Sequence, residues 1–291
     1  MGEIYALLCT VVWSFAVILI QRATESVRPL ALNLFRSSVS VPLLLLTMAV
    51  TGAPLVRDVP WTDYAILIAS GILGIAVADT LFHMALNLAG AGVNAIVSTA
   101  YSPLVVLMAF LMIGERLSTV DFIGMLLILG SLLIVGTLQP PGRRTRKHLL
   151  RGIVVGVIEM VFLAFSIVLA KPVLNHSPVL WATTVRQMGA LAALVLIVLV
   201  SRQRREALAM YRPSRSWRFM VPGAALGSYL ALVLWIAGMK YTQASIAAIL
   251  NQTSTIMILI LAVIFLGEPF TRRKLIAAAL ATGGVLLITL V

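Results

Sequence analysis

Asp79 and His83 lie one helical turn apart within an otherwise apolar stretch, GIAVADTLFHMALNLAGAG, at residues 74–92. Side chains four residues apart on a helix face the same direction, so the carboxylate and the imidazole could act together. One interpretation is a proton relay. The other is an ion-paired acid beside a hydrogen-bonded packing histidine. An enzymatic site would also need a nucleophile, for which Ser98 is the candidate.

Three further charged side chains, Arg36, Glu159 and Arg186, lie well inside apolar blocks. A charge at the centre of a bilayer costs about 2.5–3.5 kcal/mol on insertion scales, so each needs a partner or a function. Counting 1.5 Å per helical residue, the sequence predicts one arginine–acid pair toward each face, Arg36–Asp79 and Arg186–Glu159. Such pairs are either structural, or the arginines bind a carboxylate or phosphate while the acids bind an amine or a proton.

The composition indicates that a membrane bundle must position these residues. Of 291 residues, 61% are hydrophobic and 11% are charged, whereas a soluble domain is about 45–50% apolar and about 25% charged. Blocks long enough to span a bilayer occur at 3–21, 30–50, 64–88, 93–113, 119–137, 150–171, 178–200, 217–241, 245–267 and 272–290. The single cysteine, Cys9, excludes an internal disulfide. We find no nucleotide-binding loop and no metal-ligand spacing in the sequence, and we expect no cofactor and no metal.

An internal repeat divides these blocks into two sets of five. A shift of 153 residues places Gly74 on Gly227, and a shift of 150 places Arg36 on Arg186. We therefore predict a first repeat at 1–138, a basic linker at 139–149 and a second repeat at 150–291. An odd number of helices per repeat reverses the second repeat in the membrane. The predicted fold is all-α, with ten transmembrane helices arranged as two inverted five-helix repeats and a site near the midplane between them.

Polar residues occupy matching positions in the predicted fourth and ninth helices. They make a central cavity plausible, although small polar side chains also serve as ordinary contacts between membrane helices. Besides the charged residues, the candidate lining residues are Asn94, Ser98, Tyr101, Asn251, Gln252 and, as an aromatic wall, Trp235.

Loop charges predict the orientation. The net charge is +12, and it is concentrated in short loops, a pattern that indicates membrane topology rather than nucleic-acid binding. Only Arg57, Arg116, Lys171 and Lys240 fall on one side, and the other sixteen loop Lys and Arg residues fall on the opposite side. Basic loops are retained in the cytoplasm, so we expect both termini outside it.

The five-plus-five plan is accompanied by Trp13-Ser14, by the turns GERLS and GEPFT, and by glycine-rich fifth and tenth helices. In these features the whole chain resembles the EamA-type permeases of the drug/metabolite transporter superfamily. Members of the family are exporters or importers of amino acids, metabolites and drugs, so the resemblance implies a carrier and leaves the substrate open. We expect an exporter or permease of small polar metabolites such as amino acids, in the cell (inner) membrane. Members are usually drawn with both termini in the cytoplasm, the opposite of what the loop charges predict. Related small multidrug exporters carry a proton-coupling glutamate in a first helix, and Glu159 is similar in kind.

The predicted function is therefore a secondary transporter, not an enzyme, that works by alternating access, with Glu159 as a candidate for proton coupling. Its predicted partners are a small-molecule substrate and the lipid bilayer, with no nucleic acid, and the oligomeric state is left open. The alternative is an intramembrane enzyme or lipid-handling protein that uses the Asp79–His83 cluster. A third interpretation is a subunit or scaffold with no transport of its own. Glu115 and Glu268 in the two turns are expected to be structural, with Ser118 and Thr271 capping the helices that follow.

Overall fold

The computed structural model describes residues 2–113, 119–138, 145–241 and 244–290, and every regular element in these ranges is helical. Some side chains within the helices, those of Asn251 and Gln252 among them, lie outside the described residues. The long helices are α1 (Gly2–Thr24), α2 (Pro29–Thr51), α3 (Trp61–Ala89), α4 (91–113), α5 (Thr119–Gly136), α6 (Arg146–His176), α7 (Val179–Val200), α8 (217–241), α9 (Ala244–Leu266) and α10 (Arg272–Leu290). A short helix, Arg204–Ala209, lies between α7 and α8.

Six of these helices, α1, α2, α3, α6, α7 and α8, contain stretches long and apolar enough to cross a membrane. Two shorter apolar segments, Phe122–Val135 in α5 and Thr253–Leu266 in α9, do not reach that length within the described part of the chain. The structure therefore confirms an all-helical chain with multiple apolar helices. The number of ten membrane spans stays a prediction.

Local sequence explains where several helices begin and end. Pro29 stands in the first turn of α2, where its missing N–H costs no hydrogen bond. The hydroxyl of Thr145 accepts a hydrogen bond from the backbone N–H of His148 in the first turn of α6. Gly90 separates α3 from α4 with φ of 89°, a conformation that side chains with a Cβ rarely adopt. Thr271 caps α10 as predicted, since its hydroxyl accepts a hydrogen bond from the N–H of Lys274.

Two helices change their winding at matching positions of the repeat. α3 is a π-helix over Ile72–Ala78, and α8 is a π-helix over Ala225–Ala231, 153 residues later. Side chains of α2 bind the carbonyls of both segments: Asn33 Nδ2 donates to Ile75 O at 2.8 Å, and Ser40 Oγ donates to Ser228 O at 2.6 Å. π-helical turns are frequent at functional sites, and both segments lie at the centre of the bundle.

The two halves of the chain pack mainly against each other. α1 packs on α8 and α9 of the second half, and α6 packs on α3 and α4 of the first half. α2 packs on α7, and α5 packs on α10. A core formed by both halves joins them, with Leu32 and Phe35 from the first and Leu194 and Met220 from the second. In this arrangement, eight of the described helices surround the centre of the bundle, namely α1 to α4 and α6 to α9. The α5–α10 pair lies beside them.

Candidate functional site

A cavity of about 270 Å³ lies at the centre of the bundle, between the two halves. Its described lining residues come from α1 to α4 of the first half and from α6 to α9 of the second. None of those described residues belongs to α5 or α10. The candidates that line it are Arg36, Asp79, Ser98, Tyr101, Glu159, Arg186 and Trp235.

Most positions of the wall occur in pairs that the repeat relates. Arg36 in α2 corresponds to Arg186 in α7, and Gly74 in α3 corresponds to Gly227 in α8. A Cβ on Gly227 would lie 3.4 Å from Arg36 Nη2, and a Cβ on Gly74 would lie 3.4 Å from Arg186 Nη2. Each arginine therefore reaches the small residue in the π-helix of the opposite half. The two missing Cβ atoms leave the guanidinium groups room at the centre.

The two acids of the cavity break this symmetry. Asp79 has Leu232 at its repeat position, and Glu159 has Cys9 at its own. The first half thus contributes one arginine and Asp79, and the second contributes one arginine and Glu159, from helices that are not repeat mates. The chemical character of the cavity therefore differs around its wall even though its shape is built from two similar halves.

The Arg36 guanidinium is engaged by residues of α3. Its Nη1 donates to His83 Nε2 and lies 3.9 Å from Asp79 Oδ2. This confirms the predicted Arg36–Asp79 pair. Arg36 is almost completely buried, whereas 27% of the Asp79 side chain is exposed, on the side of the cavity. The pair therefore joins α2 to α3 within the first half.

His83 supports Arg36 from behind rather than facing the cavity. It is fully buried, and it is not among the residues that line the cavity. A guanidinium can only donate hydrogen bonds, so His83 Nε2 accepts one and the imidazole is neutral with its proton on Nδ1. That Nδ1 has no hydrogen-bond partner among the described residues. Of the two interpretations that the sequence left open, this arrangement corresponds to the hydrogen-bonded packing histidine, and the proton relay stays a hypothesis.

Arg186 lies in a contrasting environment. Its side chain is buried, and neither Nε nor Nη1 has a hydrogen-bond partner in the described part of the structure. The predicted Arg186–Glu159 ion pair is wrong: among the described ion pairs none joins these two residues. Arg186 instead interacts electrostatically with Asp79 and with the hydroxyl of Tyr101. The depth estimate failed because two residues at one depth can still face different neighbours.

Glu159 also lacks the partner that the sequence suggested. It is buried on α6, and its Oε2 has no hydrogen-bond partner among the residues described. The charged group that interacts with it electrostatically is Asp79, another carboxylate. Two ionised acids in one buried cavity repel each other unless a proton or another cation lies between them. This part of the wall is therefore suited to a cation.

The remaining candidates divide into several groups. Ser98 lies in a 3₁₀ turn of α4 and donates to Asn94 O at 2.9 Å, so its hydroxyl is not held as a nucleophile by His83. Asn94 is buried and does not line the cavity. Trp235 does, as do Trp13 and Phe82, whose ring centroids are 5.6 Å apart. The side chains of Asn251 and Gln252 lie outside the described residues.

A second buried charged cluster lies at the loop before α10; sequence reasoning expected Glu268 to be structural and missed its partners. Glu268 accepts hydrogen bonds from Lys274 Nζ at 2.8 Å and from the backbone N–H groups of Ala91 and Gly92 at 2.8 and 3.1 Å. We call this group, Glu268 with Lys274, Ala91 and Gly92, the Glu268 clasp. It holds the first turn of α4 in one half against the loop of the other. The signal in the sequence was the GEPFT turn itself, which gave no indication of its distant partner.

No group of three His, Cys, Asp or Glu side chains that could hold a metal ion occurs within the described residues. The chemistry that the cavity offers is instead that of fixed charges and aromatic surface. It can bind a small molecule with polar groups of both signs.

The comparisons with known proteins agree with a two-repeat chain. The EamA-like transporter family matches residues 1–137 and matches again at residues 150–290. A crystal structure of another protein superposes with a TM-score of 0.71, covers 99% of this chain and 96% of its own, and is 19% identical in sequence. That likeness concerns the fold. No curated protein matches the chain.

Proposed function

The chain belongs to the EamA-like transporter family, and on this premise we propose that it is a secondary transporter of small polar metabolites such as amino acids. The family consists of membrane transporters rather than enzymes, and the chain has multiple apolar helices, so it is a multi-pass membrane transporter. The substrate class, the mechanism and the coupling are the proposal. The observation that carries it is the central cavity, because both halves of the chain form its wall.

The size and charge of the cavity support a small polar substrate. At about 270 Å³ it falls just below the range of about 300–1,000 Å³ that is usual for drug-sized ligands. Two arginines and two acids line it, so it offers groups for both signs of charge. Buried charges of this kind in membrane proteins commonly mark substrate or ion pathways.

Alternating access is the mechanism that we propose. Two inverted repeats around one midplane site can rock against each other so that the site opens to one side at a time. The packing of α1 on α8 and α9, and of α6 on α3 and α4, supports this because each half forms its main contacts with the other. Glu159 is the candidate for proton coupling, since one of its oxygens is unpartnered among the described residues.

We also propose that the protein lies in the cell (inner) membrane with both termini outside the cytoplasm. The bias of basic residues among the loops supports this orientation. A reporter that is active only in the cytoplasm, fused after Val291, should be silent. An active reporter would show that the C-terminus lies in the cytoplasm and that the orientation is the opposite of the one proposed. A matched fusion in the loop at 201–216 should be active.

Uptake by purified protein in liposomes tests the function itself. We expect accumulation or counterflow of a labelled small polar metabolite in vesicles that contain the protein, and none in vesicles that contain Arg186→Gln. Absence of transport for every compound of a broad panel, with folded protein in the vesicles, would contradict the proposal. The rival enzymatic interpretation has no support from geometry, because His83 is engaged by Arg36.

A further inference from the structure

The two repeat-related arginines of the cavity differ in how well their N–H groups are satisfied. Arg36 donates to His83 and pairs with Asp79, and of its buried nitrogen atoms only Nε is without a hydrogen-bond partner among the described residues. Arg186 has two N–H positions, Nε and Nη1, with no hydrogen-bond partner among the residues described, although the side chain is buried and lines the cavity. A buried charge without hydrogen bonds is strongly unfavourable. Such a group in a cavity is therefore suited to a ligand that brings its own negative charge.

A second hydrogen-bond donor lines the same cavity as Arg186. The hydroxyl of Tyr101 on α4 is buried at the cavity, has no hydrogen-bond partner within the described part of the chain, and interacts electrostatically with Arg186. A guanidinium and a phenol can both donate a hydrogen bond to an acceptor placed between them. A planar carboxylate fits such a pair, because the guanidinium fork can donate to both of its oxygens.

The two acids make a second part of the cavity wall suited to a cation. Asp79 interacts electrostatically with Arg36, Arg186 and Glu159, and both acids line the cavity. Glu159 Oε2 has no donor among the described residues. A ligand ammonium near both carboxylates would satisfy that oxygen and separate the two like charges.

We propose that Arg186, and not its repeat mate Arg36, is the anion-binding residue of the cavity, for a zwitterionic ligand with one carboxylate and one ammonium group. The carboxylate binds Arg186 and Tyr101, and the ammonium binds between Asp79 and Glu159. Arg36 is a positioning residue that holds Asp79. This inference rests on the proposed function, since it describes the substrate of the same cavity.

The same geometry disfavours ligands with more negative charge. A phosphate ester or a dicarboxylate would bring its second negative charge toward Asp79 or Glu159. The rest of the ligand meets Trp13, Phe82 and Trp235, which form apolar wall. The cavity is therefore expected to prefer a zwitterion with an apolar remainder.

Ligand binding to the purified, detergent-solubilised protein tests the class, because a ligand that binds the native state raises its melting temperature. The probes are the standard amino acids, and for each that binds, its deaminated carboxylic acid and its decarboxylated amine, with glycerol 3-phosphate as the phosphate ester. We expect at least one apolar amino acid to bind, and both of its truncated analogues to bind at least about tenfold more weakly. Equal binding of either analogue, tighter binding of the phosphate ester, or binding by no zwitterion would overturn the inference.

Uptake in liposomes separates this inference from the proposed function. A zwitterion that binds and is not transported supports the ligand class and contradicts the transporter. Transport of a compound that lacks the carboxylate or the amine, at the rate of the intact amino acid, supports the transporter and overturns the ligand class.

Variants assign the roles of the two arginines. Arg186→Lys keeps the charge and loses the fork, so we expect affinity to fall at least about tenfold while the melting temperature without ligand stays close to that of the unmodified protein. Arg218→Lys, an exposed position outside the described lining, is the matched control and should bind normally. Glu159→Gln should narrow the preference for the amino acid over its deaminated analogue. Normal affinity in Arg186→Lys, with affinity lost in Arg36→Lys at unchanged melting temperature, would reverse the assignment.

Discussion

Two clusters of buried charged side chains in this molecule differ in whether their polar atoms have hydrogen-bond partners. In the Glu268 clasp the carboxylate receives one ammonium and two backbone N–H groups, and Glu268 and Lys274 are both nearly inaccessible. In the central cavity Arg186 and Glu159 each keep a polar atom without a hydrogen-bond partner among the described residues. Satisfied buried charges hold helices together, whereas unsatisfied ones at a cavity are available to a ligand.

The comparison also shows that burial alone does not identify a functional residue. Burial alone would have placed Glu268 and Lys274 among the candidate site residues, since they are as inaccessible as Arg186. What distinguishes the cavity is the missing partner and the space beside it. Substitutions in the clasp should therefore act on stability, and substitutions at Arg186 should act on ligand binding.

The largest loss of stability is expected from Glu268→Gln. It leaves the buried ammonium of Lys274 uncompensated, which should cost about 3–5 kcal/mol, measured as a lowered unfolding transition in detergent. The double variant Glu268→Gln with Lys274→Met should recover part of that loss. Glu206→Gln is the matched control, because its pair with Arg28 is about half exposed and contributes about 0.2–1 kcal/mol. Equal stability of Glu268→Gln and Glu206→Gln would show that the buried pair in the clasp contributes no more to stability than the half-exposed pair.

A smaller loss is expected from Asp79→Asn, which leaves Arg36 with His83 as its hydrogen-bond acceptor. The pair is longer than the clasp and Asp79 is partly exposed, so we expect about 2–3 kcal/mol. Adding Arg36→Gln should restore part of the stability, because the uncompensated charge is removed. If the two single losses simply add in the double variant, the two side chains do not interact energetically.

Gly74→Ala should cost about 1–2 kcal/mol through overpacking, and should impair ligand binding more than stability. Its Cβ would overlap Ser166 Oγ and approach Arg186 Nη2. The double variant Gly74→Ala with Ser166→Gly removes the overlapping atoms, so it should recover stability. Any loss of affinity that remains in the double variant is then due to the contact with Arg186. The unfolding transition and the affinity are measured side by side. Gly130→Ala, where a Cβ meets nothing within 4 Å, is the control.

The smallest change in stability is expected from Arg186→Met. The variant removes a buried charge whose Nε and Nη1 have no hydrogen-bond partner among the described residues. Stability should therefore stay within about 1 kcal/mol of the original or rise, while transport is lost. Arg36→Met should instead lose about as much as Asp79→Asn. If Arg186→Met destabilises the protein as strongly as Glu268→Gln does, Arg186 is structural, and the contrast between cavity and clasp fails.

The predicted fold and the structure agree where the signal is local or repeated. The blocks at 30–50 and 178–200 correspond to α2 and α7 within a residue or two, because runs of apolar residues favour helices in a bilayer. The predicted block at 64–88 fell inside α3 and missed its π-helical turn. The side chain of Asn33 on α2 donates hydrogen bonds to two carbonyls of that turn, and periodicity within α3 carries no information about this contact.

By itself the sequence determined that this is a repeated, all-helical membrane protein with arginines and acids inside its apolar blocks. Composition and repeat register suffice for that, because the bilayer restricts both the elements and the positions of charge. Only the tertiary structure decided which charges meet. It paired Arg36 with Asp79 and left Arg186 without Glu159. It also joined Glu268 to the N–H of Ala91, 177 residues away. Ion pairs and caps require approach within a few ångström, and packing between the halves sets those distances.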